Sequence, residues 1–219
     1  MVTIDGPSGA GKTTVSVRLA NAAGLLRIDT GAMYRAVALA ARRAGVSPDD
    51  ALRLGEVAGK MDLSFRTVAD AQRVFLSGED VSDAIRTPEM SMMSSAVSAH
   101  PAVREALVAK QREMGRGGGV VLEGRDTGTV VFPGADVKFF LDAAVAVRAR
   151  RRYLDPLTRG GRSYEEVLRD VLRRDVQDSA REHSPLRVAP GAVYIDSTTL
   201  TVEEVVERML RRLPAGDRG

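Results

Sequence analysis

The chain has 219 residues, 44% hydrophobic and 28% charged, which excludes both a disordered chain and a membrane-spanning one. That length suits one domain, with room for an inserted lobe, and is ample to bury a core. Lys and Arg total 32 against 29 Asp and Glu, so a net charge of +3 is too balanced for a nucleic-acid wrapper, and with no cysteine there is no disulfide or thiol chemistry.

Val2 to Asp5 reads as a short apolar strand running into a Gly-rich turn, then a helix over Thr13 to Ala23. The opening MVTIDGPSGAGKTT has neither a basic n-region nor an apolar h-region, so a cytoplasmic protein is expected. Leu25 to Asp29 is a second strand, followed by a helix over Ala32 to Arg43 that Gly45 stops. Ser47-Pro48 predicts the next helix start, with Ser as N-cap and Pro at the first helical position.

Between Met61 and Ile85 the pattern alternates. Met61–Phe65 and Arg73–Leu76 predict two strands, with Gly78-Glu79-Asp80 as a turn. Thr87-Pro88 and His100-Pro101 each open a helix, and the run from Arg116 to Gly119 closes the pair. His100 reads as a helix cap and His183 as a loop residue. Val120–Glu123, Val137–Leu141 and Ala192–Asp196 are three more buried-looking strands. Ser163-x-x-Glu166 and Thr201-x-x-Glu204 are capping boxes for the last long helices, and Pro214–Gly219 reads as a frayed tail.

Five short strands alternating with helices predict an α/β fold, a five-stranded parallel sheet flanked by helices. The hairpin-like stretch marks an inserted lobe over about 45–115. The expected core is 1–44, 116–147 and 182–213, with a lid region over about 148–162 followed by a helix over 163–181.

Gly6-Pro7-Ser8-Gly9-Ala10-Gly11-Lys12-Thr13 fits G-x-x-x-x-G-K-[ST] at every fixed position, between a predicted strand and a predicted helix. Backbone N–H groups of such a loop turn onto phosphate oxygens, and the helix N-terminus adds positive charge. Lys12 would reach the β/γ-phosphates and the Thr13 hydroxyl would ligate Mg²⁺. With Thr14, these residues are the ATP-binding candidates. A switch GTPase is excluded by its missing parts, since no D-x-x-G occurs. The only K-x-D, Lys60-Met61-Asp62, follows a helix rather than a strand. A large motor or transporter ATPase is disfavoured by size.

The basic side is lopsided, with 28 Arg against 4 Lys. Codon bias is the bland reason. The sharper one is that guanidinium forks hold phosphate oxygens. A phosphate acceptor is already mostly dianionic near pH 7, so its transfer reaction needs cationic clamps rather than a general base. Arg35 and Arg125 follow predicted strands, Arg148, Arg150, Arg151 and Arg152 cluster after another, and Arg173, Arg174 and Arg181 lie beyond. In open α/β sheets ligands bind at those carboxyl ends. At least one Arg of 148–152 should face solvent, and at most one of the adjacent Arg173 and Arg174 should face a ligand.

VTIDGPSGAGKTT, DTGAMYR, GEDVSDAIRTPE, EGRDTGTVVFPGADVKFFLDA and IDSTTLTVEEVV together resemble the bacterial cytidylate kinase family, in family order from residue 2 to about 206. The resemblance implies a monomeric P-loop kinase that moves the ATP γ-phosphoryl to CMP or dCMP with Mg²⁺, built from a core, an enlarged monophosphate lobe and a short mobile lid. It places Thr30, Tyr34 and Arg35 at the monophosphate, where Arg125 and Arg181 join Arg35. Ser95, Arg104 and Asp126 match positions that read cytosine, and Asp178 matches one that holds sugar hydroxyls. Asp178, three residues before Arg181, also reads as a plain helix ion pair. Lys12, Arg125 and the lid residues Arg148, Arg151 and Arg152 are the catalytic candidates, and Thr13 the metal ligand. The rivals are a kinase of the same fold acting on UMP, AMP or an alcohol, and a regulator that binds ATP without turnover.

Overall fold

The computed structural model describes residues 1–68 and 71–214. Its chain order begins β1 (Val2–Asp5), α1 (Lys12–Ala23), β2 (Leu26–Asp29), α2 (Thr30–Arg43) and α3 (Ala51–Lys60). Strands β3 (Leu63–Val68), β4 (Ala71–Leu76) and β5 (Glu79–Asp80) follow, then a 3-10 turn (Ala84–Arg86), α4 (Pro88–Val97) and α5 (Pro101–Met114). The chain continues through β6 (Val120–Gly124), a π turn (Thr127–Val131), β7 (Val137–Asp142), α6 (Val145–Leu154) and α7 (Pro156–Arg159). It closes with α8 (Tyr164–Ala180), β8 (Val193–Asp196) and α9 (Val202–Leu210).

These elements form two compact units. Met1–Asp29, Gln111–Asp155 and Arg162–Gly219 make the first, and Thr30–Lys110 with Pro156–Gly161 the second. The first unit holds a five-stranded, all-parallel sheet of order β2-β6-β1-β7-β8. The central strands β1 and β6 are buried at every residue, as expected of a sheet covered on both faces. Ile4, Leu19, Phe139, Leu141 and Met209 build the core between sheet, α1 and α9. Gly24 ends α1 in the left-handed region (φ 66), and its N–H returns to the Ala20 carbonyl. Both capping boxes form, Ser163 with Glu166 and Thr201 with Glu204.

In the second unit α2 packs on α3 and α4, and small residues such as Ala36, Ala38 and Ala41 are fully buried. Met33, Leu54, Ile85, Met90 and Leu107 fill this core at no more than 1% exposure. β3, β4 and β5 form a separate antiparallel sheet. Gly45 (φ 61) ends α2, donating to the Arg42 carbonyl.

Two local expectations are corrected. Ser47 does not cap α3. Its Oγ accepts from the Asp49 N–H at 3.3 Å, closing a turn two residues long, and the cap passes to Asp50, whose Oδ1 accepts from Arg53 N at 3.1 Å. Nor are Glu79 and Asp80 turn residues. The turn falls on Ser77 and Gly78, both at positive φ (49 and 82), so Glu79 and Asp80 pair with Leu76 and Phe75 as β5. The frayed-tail reading, from residue 215 onward, lies outside the described residues. Among the described residues, no helix is long and apolar enough to cross a membrane.

Candidate active site

The phosphate loop joins β1 to α1 in the first unit. Gly6 has φ 148, and a Cβ there would fall 1.9 Å from the Leu141 carbonyl oxygen on the neighbouring strand. Gly9 (φ 81) would place a Cβ 2.7 Å from the Arg148 carbonyl oxygen. Only glycine lets the loop pass this close to both. Lys12 folds back so that Nζ donates to the Pro7 carbonyl at 2.8 Å. Burial drives its ammonium well below the ordinary lysine range, and Arg125 adds to that, while Glu123, Asp178 and Asp5 oppose it. A buried cation in that condition is stabilised by an arriving anion.

Beneath the loop lies a network that the sequence reading missed. Glu123, at the end of β6, accepts from the Thr13 hydroxyl on Oε2 at 3.0 Å and from the Ser16 hydroxyl on Oε1 at 3.1 Å. Arg27 on β2 donates from Nε to Glu123 Oε1 at 3.0 Å and to Ser16 Oγ at 2.9 Å, and pairs with Asp29 at 3.1 Å. A glutamate closing the otherwise apolar run of β6 was the available signal, since buried carboxylates need partners.

The arginines of α6 separate by role. Arg148, only 6% exposed, donates to the Ala143 carbonyl (2.7 Å) and the Ser8 carbonyl (3.2 Å) and pairs with Asp175 at 2.8 Å. Arg151 donates to the Ala10 carbonyl at 3.2 Å and to the Ser197 carbonyl at 2.7 Å. Arg152 reaches the Ser8 hydroxyl at 3.2 Å. All three therefore touch the phosphate loop, whereas Arg150 is exposed.

The structure also brings together Arg125, Asp178 and Arg181. Asp178 accepts from Arg125 Nε on Oδ2 at 2.7 Å and from Arg181 on Oδ1 at 2.5 Å. The helix ion pair is thus real, and it is also a bridge between two guanidiniums proposed for one phosphate. Burial would raise the Asp178 carboxyl, but Arg125, Arg181 and Arg174 outweigh it and hold it below the usual aspartate range. Asp126 is 5% exposed, and its carbonyl anchors the π turn by accepting from Val130 and Val131. Arg173 is exposed and paired with Asp170 on its own helix.

The second unit carries Thr30, Tyr34, Arg35, Ser95 and Arg104. Thr30 is buried at the start of α2. Arg104, also buried, lies over the Tyr34 ring at 5.6 Å from its centroid and donates to the Ser98 carbonyl at 3.4 Å. The Ser95 carbonyl accepts from Ser98 Oγ at 2.8 Å. His100, whose carbonyl accepts from Arg104 N at the start of α5, sends its ring to the Pro48 carbonyl at 2.7 Å. His183 is an exposed loop residue.

The cytidylate kinase family model matches residues 2–215. The chain belongs to the cytidylate kinase family. It is 53% identical to the cytidylate kinase of Geobacter sp. (strain M21) over 224 aligned positions, covering 100% of this chain and 96% of that protein. The cytidylate kinase of Geobacter sulfurreducens is 55% identical over 210 positions, covering 95% of this chain and 90% of that one. For the Bacillus subtilis cytidylate kinase the identity is 44%, over 99% of this chain and 97% of that protein. As a cytidylate kinase family member, the chain has its phosphate loop and its Arg125–Asp178–Arg181 cluster in one compact unit.

Proposed function

We infer that the chain is a nucleoside monophosphate kinase that transfers the ATP γ-phosphoryl group to CMP or dCMP. The observation that carries this reading is the family match over residues 2–215. An oxygen of the acceptor phosphate attacks the γ-phosphorus; that O–P bond forms as the bond to the β,γ-bridging oxygen breaks, giving ADP and CDP or dCDP. The chain's task is to neutralise and align two polyanions. Gly6 to Thr14 receive ATP, with Lys12 leaving the Pro7 carbonyl for phosphate oxygens. Arg151 and Arg152 follow the transferring group, a role their contacts with the P-loop support, while Arg148 holds the loop's Ser8 carbonyl.

On the acceptor side, Arg35, Arg125 and Arg181 take the phosphate, Thr30 and Tyr34 approach it, and Asp178 takes the sugar hydroxyls. Ser95, Arg104 and Asp126 read cytosine. A carboxylate facing the exocyclic amine of cytosine would face an acceptor oxygen in uracil, a mismatch of about 1–3 kcal/mol.

Mg²⁺ fits the residues present. The Thr13 hydroxyl hydrogen is committed to Glu123, which leaves its oxygen lone pairs for a cation. Mg²⁺ usually keeps several waters and takes substrate phosphate oxygens, so it needs few ligands from the chain. When bound, the ion supplies neutralisation of developing phosphate charge. Monomeric action in the cytoplasm on these two nucleotides, without nucleic acid or membrane partners, belongs to the same reading, as does a core carrying a monophosphate lobe over about 45–115 and a lid over about 148–162.

A coupled assay of ADP release with ATP and Mg²⁺ tests the reading. CMP-stimulated turnover is expected; ATP binding without any such turnover would favour the regulator instead.

A further inference from the structure

The π turn at Thr127–Val131 starts with backbone N–H groups that no carbonyl within a single turn can reach. Both of the first two go to one side chain on another element. Asp5, the last residue of β1 and 2% exposed, accepts from Thr127 N on Oδ1 at 2.9 Å and from Gly128 N on Oδ2 at 2.8 Å. The Thr127 hydroxyl adds a third bond to Oδ1 at 2.8 Å. Thr127 is completely buried. Gly128 permits the approach, because a Cβ there would lie 2.9 Å from Thr3 Oγ1 and 3.4 Å from Asp5 Oδ2.

This carboxylate sits between two halves of the chemistry. On one side the next residue is Gly6, the first of the phosphate loop. On the other, the capped turn directly follows Arg125 and Asp126, whose backbone is tied further by the bonds from Val130 and Val131 to the Asp126 carbonyl at 2.9 and 3.2 Å. Asp5 and Gly124 are also register partners across β1 and β6, so the two chain segments leave the sheet side by side.

We propose that Asp5 is a positioning residue for the acceptor: by capping the turn from the strand that launches the phosphate loop, it fixes Arg125 and Asp126 in register with that loop. The assignment rests on the kinase reading above. Nothing but an acceptor pair satisfies the geometry. Asparagine keeps the shape but replaces one oxygen by an NH₂ donor, which then meets either the Gly128 N–H or the two Thr127 donors.

The test is D5N, measured for both substrates and in an Arg125→Ala background. D5N should lower kcat/KM for CMP about 10- to 100-fold while KM for ATP stays within about 3-fold. In the Arg125→Ala background the same substitution should cost clearly less than it does in the wild type, because one of the two groups it positions is already gone. Equal losses for ATP and CMP, or a D5N effect that multiplies fully with Arg125→Ala, would mark Asp5 as merely structural and overturn the assignment. A wild-type protein inactive on CMP overturns both this and the functional reading, whereas an active wild type matched by D5N overturns only the role of Asp5. Should D5N fail to fold, T127V removes one donor of three and carries the same test. It is expected to raise KM for CMP about 2- to 5-fold with KM for ATP unchanged, and wild-type CMP kinetics in T127V would contradict the proposal.

Discussion

Arg125 donates from Nε to Oδ2 of Asp178 at 2.7 Å, and the carboxylate that receives it is 1% exposed. The same carboxylate also holds Arg181. Both guanidiniums are fixed in position by it, so under the proposed function acceptor binding does not have to order them.

Arg125→Ala should therefore strike the acceptor and spare the donor. A fall in kcat/KM for CMP of more than about 100-fold is expected, with ATP affinity within about 3-fold of wild type. Steady-state kinetics and titration with a fluorescent ATP analogue measure the two sides. Lost ATP binding with CMP binding intact would reverse the assignment.

The same pair sets a pH dependence. The Asp178 carboxyl is lower in the folded chain than in the unfolded one, where it titrates at about 4. Its stabilising contribution is complete above that unfolded value and is lost as pH falls through the folded one. The gap in thermal midpoint between wild type and Asp178→Asn should thus be widest near pH 6 and close as pH drops below 4. A gap that widens on acidification contradicts the sign.

Arg27 and Glu123 form an ion pair with side chains 8% and 4% exposed. Arg27→Ala strips a buried carboxylate of its cation, so a loss of about 3–5 kcal/mol is expected, read from urea unfolding as a shifted midpoint at unchanged slope. A loss under about 1 kcal/mol would mean the Thr13 and Ser16 hydroxyls suffice for Glu123.

The corrected cap of α3 is open to a direct comparison. Asp50→Ala should lower stability by about 1 kcal/mol, while Ser47→Ala stays within about 0.5 kcal/mol. The reverse order would restore Ser47 as the cap.

Much of this was legible from residue order alone, because the signals are local. The phosphate loop, five parallel strands and two capping boxes all depend on residues a few positions apart. Ser47 misled because Ser-Pro is an equally good turn, and the choice fell to Asp50, three residues on. Glu79 and Asp80 looked like turn residues by type, yet positive φ at Ser77 and Gly78 freed them to pair. The Glu123 network and the Asp5 cap were out of reach for a different reason. Their partners lie about a hundred residues away in sequence and meet only because β6 pairs with β1 and β2. Arginine richness pointed to phosphates, but only the fold separates Arg148, spent on holding the loop, from Arg150, turned to solvent.

The most direct measurement is an acceptor panel with ATP and Mg²⁺, comparing kcat/KM for CMP, dCMP, UMP, AMP and small alcohols by coupled ADP release. CMP and dCMP should lead UMP by about 5-fold or more, as the mismatch of about 1–3 kcal/mol proposed for a buried carboxylate implies. UMP or AMP outrunning both cytidine nucleotides would contradict the account.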